Sequence, residues 1–129
     1  MSIDSVLAEL VSQVEGATGA ILVAADGEAV QWHPPADGER LRLRGAYLAV
    51  ALQGWRASAV REKVGAMRCL VLEYEGSSFA AQEVDSDCFV VLEVAASANI
   101  GQAVFRVGLA AAKLRIEIVP QTSRESAPC

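Results

Sequence analysis

Three strand-like runs follow one another between residues 67 and 96, and the short turns between them constrain the fold more than any other feature. The runs are MRCLVLEYEG, FAAQEV and CFVVLEVAA, and the turns are EGSS and DSD. A parallel pair needs a crossover of about a dozen residues or more, whereas antiparallel neighbours need only a tight turn. This part of the chain is therefore predicted to be an antiparallel meander.

Two further strands are predicted nearer the N-terminus. The runs TGAILVAA and AVQWH lie on either side of Asp26-Gly27. Asp and Gly tolerate the positive φ angles of a tight hairpin turn, so the pair is a good hairpin signal. Pro34 and Pro35 follow, and proline cannot continue a paired strand.

Three segments carry the apolar spacing of helices. They cover residues 3–15, roughly 39–63, and 97–118. The candidate N-caps are Ser2 or Asp4 for the first helix, Asp37 for the second, and Ser97 or Asn99 for the third. Gly16 and Gly65 are expected to end the first two helices. The order α-β-β-α-β-β-β-α predicts an α+β fold with a five-stranded antiparallel sheet and three helices.

The length of 129 residues suits one domain with a single core. We expect that domain at residues 1–118 and a disordered tail at 119–129, because PQTSRESAPC lacks apolar spacing. No apolar run reaches the roughly 18 residues of a membrane span, and the first residues do not resemble a secretory signal. Three cysteines without a CxxC pair, Cys69, Cys88 and Cys129, suggest reduced thiols and a cytoplasmic protein.

The charge of the chain is unevenly placed. The formal net charge is −5, which argues against nucleic acid as a partner. Residues 40–68 nevertheless hold seven of the eleven basic residues against one acid, Glu62, so this segment is +6 and the rest is −11. Such a segment can steer an acidic partner, with Arg42, Arg44 and Arg56 as candidate contacts. The alternative, which the charge pattern alone favours, is a solvated helix face.

The second predicted helix is apolar on almost every side. One face groups Leu41, Leu48, Leu52, Trp55 and Ala59, which suits an ordinary core. The opposite side carries Leu43, Ala46, Tyr47, Val50, Gly54 and Ala57. A helix of this kind is usually buried on more than one side. A second copy of the same helix is the expected cover, with small residues allowing close approach; the alternative is that the first or third helix covers this face.

No catalytic constellation is visible. His33 is the only histidine, and its place at a strand end favours an edge role. Asp85 and Asp87 flank Ser86 in a predicted turn, where solvated turn carboxylates are far commoner than an acid–base pair. We therefore expect no catalytic residue, no metal site and no cofactor.

Several of these stretches together resemble the Roadblock / dynein light-chain domain family. They are ELVSQVEGATGAILVAADGEAV, VLEYEGSSFAAQEV and CFVVLEVAASANIGQAVFRVGLAAAKL, with a long helix after the first. The landmarks are Gly16, Asp26-Gly27 and Asn99-Ile100-Gly101. The resemblance spans about residues 3–118 and is to the bacterial, stand-alone branch.

The resemblance implies a homodimer in which the second helices pair and the third strands join the two sheets. The implied interface residues are Leu43, Tyr47, Val50, Gly54, Ser58, Cys69 and Val71. It also implies a Ras-like small GTPase as a partner that the protein regulates or scaffolds. A bacterial regulator of this family raises GTP hydrolysis without inserting an arginine of its own, so no arginine-finger role is expected for Arg42 or Arg56. The alternatives are an assembly subunit without a GTPase partner and, less favoured, a small-molecule sensor.

Overall fold

The computed structural model describes the backbone of residues 1–126 and the side chains of residues 1–118. Its helices and strands are α1 (Ile3–Gln13), β1 (Ala17–Ala24), β2 (Ala29–His33), α2 (Gly38–Glu62), β3 (Leu70–Glu73), β4 (Ser77–Asp85), β5 (Cys88–Ala95) and α3 (Ile100–Ser126). This order confirms the predicted α+β fold with three helices and five strands. Within the described 126 residues, no helix combines the length and apolar character needed to cross a bilayer.

The five strands form one antiparallel sheet in the order β2-β1-β5-β4-β3. β5 is the central strand: its Leu92 lies opposite Ala20 of β1 on one side and Ala80 of β4 on the other. Tight turns join β1 to β2, β3 to β4 and β4 to β5, as the spacing of the apolar runs predicts. The two edges of the sheet are β2 and β3.

Helices cover both faces of the sheet. Because side chains alternate along a strand, Val90 and Leu92 of β5 pack with α1 and α3, whereas Phe89 and Val91 pack with α2. Apolar residues of α2, such as Leu41 and Leu52, are fully buried in the second cluster. The molecule is thus a three-layer structure with α2 alone on one side.

The N-caps of α1 and α3 follow the sequence signals, but the expected glycine stops are wrong. α1 ends at Gln13 before Gly16, and α2 ends at Glu62 with Lys63, rather than Gly65, as its left-handed C-cap. Ser2 caps α1 in a capping box with Ser5, and the Asn99 side chain accepts a hydrogen bond from the amide of Gln102 at the start of α3. Asp37 occupies the N-cap of α2, but its side chain accepts no capping hydrogen bond. Its carboxylate lies instead 3.2 Å from the guanidinium of Arg40.

Two element bounds differ from the expectation. β3 is only four residues long, Leu70–Glu73, so the first part of the run MRCLVLEYEG is loop. α3 continues past residue 118 to Ser126. Residues 127–129 lie outside the described residues, and disorder of the tail 119–129 stays a prediction.

Candidate interaction surface

The inner face of α2 packs on the sheet largely as predicted. Leu41, Leu48 and Leu52 are buried in the cluster that contains Phe89. The pattern also assigned Trp55 to this buried face. That assignment is wrong, because Trp55 is 58 % exposed. It borders a cleft with Val64 and Met67. β3 begins only at Leu70, so the part of the chain at this cleft that precedes it is loop.

The outer face of α2 is an exposed apolar stripe. Leu43, Tyr47 and Val50 are 57 %, 70 % and 73 % exposed, and Gly54 continues the row. These four positions, named here the α2 stripe, follow the i, i+4, i+7, i+11 spacing of a single helix face. α1 and α3 pack in the cluster on the opposite face of the sheet. Neither of them covers the α2 stripe, so that alternative is wrong.

The remaining residues of the predicted dimer interface lie beside the open edge of the sheet. Val71 belongs to β3 and Cys69 immediately precedes it; both are half-buried, as is Ser58 on α2. The chain thus presents its α2 stripe and an unpaired strand edge. That a second copy covers the seven predicted residues stays a prediction.

Two of the three arginines of ERLRLRG, Arg40 and Arg44, turn toward the sheet. Glu93 of β5 lies on the α2 face and is only 2 % exposed. Its carboxylate accepts hydrogen bonds from Arg40 at 2.9 Å, from the Thr18 hydroxyl at 2.6 Å, and from Arg44. Burial opposes ionisation of Glu93, but these donors outweigh it and hold its pKa below the ordinary range.

Arg40 responds in the opposite direction. Partial burial lowers the pKa of its guanidinium, but the hydrogen bond and charge of Glu93, with the charge of Asp37, raise it overall. The cluster of Thr18, Arg40, Arg44 and Glu93 therefore carries one buried carboxylate between two cations. These interactions link the N-terminal half of α2 to the central strand β5.

Arg56 links the C-terminal half of α2 to β4 and to the turn between β4 and β5. One of its guanidinium nitrogens lies 2.8 Å from a carboxylate oxygen of Glu83, and another donates to the backbone carbonyl of Ser86 at 2.8 Å. The guanidinium carbon also lies 4.6 Å from the centre of the Phe89 ring. Two of the three predicted partner-binding arginines, Arg44 and Arg56, are thus engaged within the chain.

Arg42 is the most available of the three. It is exposed, its Nε donates to the carbonyl of Gly38 at 3.3 Å, and its guanidinium lies 5.3 Å from the Trp32 ring. Four basic residues of the segment 40–68 take part in no ion pair within the described part of the chain, and all four are exposed: Arg42, Arg61, Lys63 and Arg68.

The carboxylates and thiols that could have carried chemistry show no catalytic arrangement among the described residues. An oxygen of Asp85 accepts hydrogen bonds from the backbone amides of Asp87 and Cys88, as expected of a hairpin turn. Burial, with the nearby Asp85 carboxylate, raises the pKa of the Cys88 thiol to about 12, and burial raises that of Cys69. Among the residues whose side chains are described, no three His, Cys, Asp or Glu side chains are grouped to hold a metal ion.

The sequence did not single out Glu93, which proves central to the α2 face. One signal was present: it is the only charged residue in the otherwise apolar run CFVVLEVAA. A carboxylate at a strand position that is buried on both sides requires a partner. Arg40 and Arg44, near the start of α2, were candidates for that partner.

No family model matches the sequence, and no curated protein matches it. Solved structures do match. A Roadblock/LC7 domain from Streptomyces avermitilis has a TM-score of 0.83 at 18 % identity, covering 92 % of this chain and 99 % of that one. MglC from Myxococcus xanthus has a TM-score of 0.68 at 26 % identity, covering 92 % and 100 %. MglB from Myxococcus xanthus has a TM-score of 0.78 at 16 % identity, covering 88 % and 92 %.

These matches span 88–92 % of the chain. They confirm the resemblance that the sequence indicates: the chain has the Roadblock/LC7 fold of these bacterial proteins.

Proposed function

We propose that the protein is a homodimeric interaction module that binds a Ras-like small GTPase and regulates or scaffolds it. The observation that carries the proposal is the α2 stripe, which leaves Leu43, Tyr47 and Val50 more than half exposed beside the open edge of β3. Contiguous exposed apolar surface on a soluble protein commonly marks a contact site. Pairing of two copies there would bury the stripe and join the two sheets edge to edge.

The GTPase partner rests on the resemblance to the Roadblock family. Charge supports it: Arg42, Arg61, Lys63 and Arg68 are exposed basic residues at or near α2 on an otherwise acidic chain. Rim charges of this kind act mainly on association rate and specificity. The proposal gives the chain no catalytic residue, because Arg56 is held by Glu83 and the Ser86 carbonyl rather than extended toward solvent.

The dimer is tested by Val50→Asp, with Val60→Asp as its matched control. Both valines lie on α2 and are 73 % and 76 % exposed, but only Val50 belongs to the α2 stripe. We expect Val50→Asp to weaken self-association by more than tenfold, or about 1.4 kcal/mol or more, and Val60→Asp to leave it unchanged. Mass would be measured by light scattering on a size-exclusion column. Equal effects of the two variants would refute the α2 interface.

The partner is tested by capture from a lysate of the source organism, with the immobilised protein offered a non-hydrolysable GTP analogue or GDP. Retention of a Ras-like GTPase mainly in one nucleotide state supports the proposal. Arg42→Glu should then reduce capture at low salt, while Lys113→Glu, on the opposite side of the sheet, should not. Unchanged capture by Arg42→Glu would remove that residue from the contact.

A second candidate is an assembly subunit without a GTPase partner. The observation that favours it is the engagement of Arg40, Arg44 and Arg56 in ion pairs within the chain, which reduces the basic surface available to a partner. Capture of no GTPase in either nucleotide state, together with a stable stoichiometric partner, would support this candidate over the first.

A further inference from the structure

The C-terminal end of α2 carries a second group of exposed apolar side chains. Trp55, Val60 and Val64 are 58 %, 76 % and 74 % exposed. Trp55 and Val64 border a cleft of about 330 Å³, and Val60 borders an adjoining cleft of about 450 Å³. Both clefts are lined by Ala59, Gly65, Ala66 and Met67. Because the two clefts share these residues, we treat them as one feature and call it the α2-end cleft.

The way in which α2 ends shapes this cleft. The helix stops at Glu62, Lys63 adopts a left-handed φ of 57°, and residues 64–69 have no regular secondary structure before β3 begins at Leu70. The lining residues come from the last turns of α2 and from this loop, and three of the four that the two clefts share are Ala or Gly, whose small side chains leave the space open. The surface is therefore concave and can receive side chains of another molecule.

Cations without a charge partner surround the α2-end cleft. Lys63 lines its larger part, and Arg61 and Arg68 each directly follow a lining residue in the sequence. All three are exposed, and none forms an ion pair within the described part of the chain. Glu62 is the one acidic residue between positions 55 and 68. The rim of the cleft thus has an excess of positive charge, which is complementary to an acidic partner.

We propose that the α2-end cleft binds a short acidic segment of another protein. Large apolar side chains of that segment fill the space beside Trp55, Val60 and Val64, and its Asp or Glu residues pair with Lys63 and the two arginines at the rim. The buried apolar anchors supply most of the affinity at such a contact, whereas the rim charges act mainly on specificity and association rate.

Neighbouring carboxylates favour a short segment over a lipid surface. Arg56 lines the same cleft and donates to the backbone carbonyl of Ser86 at 2.8 Å, so the turn that carries Asp85 and Asp87 lies close by. A flat anionic membrane would meet these carboxylates as well as the rim cations, whereas a short segment contacts the cleft alone. The proposal rests neither on the GTPase nor on the α2 interface. Of the seven predicted interface residues, all of them in the described part of the chain, Ser58 alone lines the cleft.

Selection from a phage-displayed library of short random peptides tests the proposal. The library is passed over the immobilised protein and, in parallel, over the double variant Val60→Asp/Lys63→Glu. We expect the unaltered protein alone to enrich sequences that combine Phe, Leu or Trp with several Asp or Glu residues. No enrichment, enrichment of basic sequences, or equal enrichment on the double variant would overturn the proposal.

The affinity of one enriched peptide that lacks tryptophan locates the contact. By fluorescence anisotropy, the Kd should rise about tenfold or more for Val60→Asp and about three- to tenfold for Lys63→Glu. Lys113→Glu, on α3 across the sheet, should leave the Kd unchanged. Binding should also shift the tryptophan emission of the protein to shorter wavelength, and Trp55→Phe should abolish that shift although Trp32 remains. A shift that persists in Trp55→Phe would place the peptide elsewhere.

Two further outcomes would identify a different occupant and overturn the proposal. Peptide binding by Val50→Asp but not by the unaltered protein would show that a second copy covers the cleft. Sedimentation of the protein with phosphatidylglycerol-containing vesicles but not with pure phosphatidylcholine vesicles, lost in Lys63→Glu, would show that the cleft meets a lipid surface. The mass of the dimer and the capture of the GTPase are measured separately, so failure of this proposal is distinguishable from failure of the proposed function.

Discussion

Arg44 of α2 and Glu93 of β5 form an ion pair across the interface between helix and sheet, although they are 49 residues apart in the sequence. The carboxylate is buried and the guanidinium is partly exposed, so water stabilises the cation but does not reach the anion. With Arg40 and Thr18, the pair explains why basic residues lie near the start of α2 in an acidic chain. They neutralise the one carboxylate that lies on the core face of the central strand.

Glu93→Gln should therefore lower the free energy of unfolding by about 1–3 kcal/mol at neutral pH, because two guanidinium groups lose their anion. The folded-state pKa of Glu93 is below its ordinary value of 4.5. Its contribution is thus complete above that value and is lost as the pH falls through the depressed folded pKa. Urea unfolding at neutral and acidic pH should show the two proteins converging in acid.

Glu75→Gln is the matched control, because Glu75 is exposed in the turn between β3 and β4. Its free energy of unfolding should stay within about 0.5 kcal/mol of the unaltered protein's at either pH. A Glu93→Gln effect that is the same at both pH values would contradict the assignment of stability to the ionised carboxylate.

Arg56→Met should destabilise the fold more than Arg42→Met, although both arginines lie on α2. Arg56 contacts Glu83, the Ser86 carbonyl and the Phe89 ring, and its loss should cost about 1–3 kcal/mol. Among the described residues, Arg42 contacts its own helix and the Trp32 ring, and its loss should cost about 1 kcal/mol or less. Thermal or urea unfolding of both variants checks the order, and a reversed order would mean that Arg56 is free to meet a partner.

Leu52→Ala and Leu43→Ala separate the two faces of α2. Leu52 is completely buried against the sheet, so its truncation should cost about 2–5 kcal/mol. Leu43 is on the α2 stripe, and its truncation should change the stability of the isolated chain by about 0.5 kcal/mol or less. Unfolding would be measured at a protein concentration low enough to separate the copies. Similar losses for both variants would show that Leu43 is covered within its own chain.

The elements of this fold were predictable because each carries a local signal. The short turns around β4 and β5 allow only antiparallel neighbours, and Ser2 and Asn99 cap the helices that follow them. The exposure of Trp55 was not predictable in this way, because the period of α2 places it on the same face as the buried Leu48 and Leu52. The Glu93 cluster was also missed. Ion pairs between residues about 50 positions apart produce no recognisable spacing pattern in the sequence. The single carboxylate in an apolar strand was the one signal of the cluster.

Gly54→Ala should change folding and association in opposite directions. A Cβ atom at this position would have no heavy atom within 4 Å, so the chain itself gives no steric reason for glycine within α2. Alanine should stabilise the isolated chain by about 0.5–1 kcal/mol through its higher helix propensity. In the proposed dimer, Gly54 lies on the α2 stripe where two helices approach, and the added methyl group should weaken association. Val60→Ala, on the same helix but off the stripe, should also stabilise the helix and should leave association unchanged. Unfolding at low concentration together with sedimentation equilibrium measures both quantities, and a Gly54→Ala variant that dimerises as well as the unaltered protein would place Gly54 outside the contact.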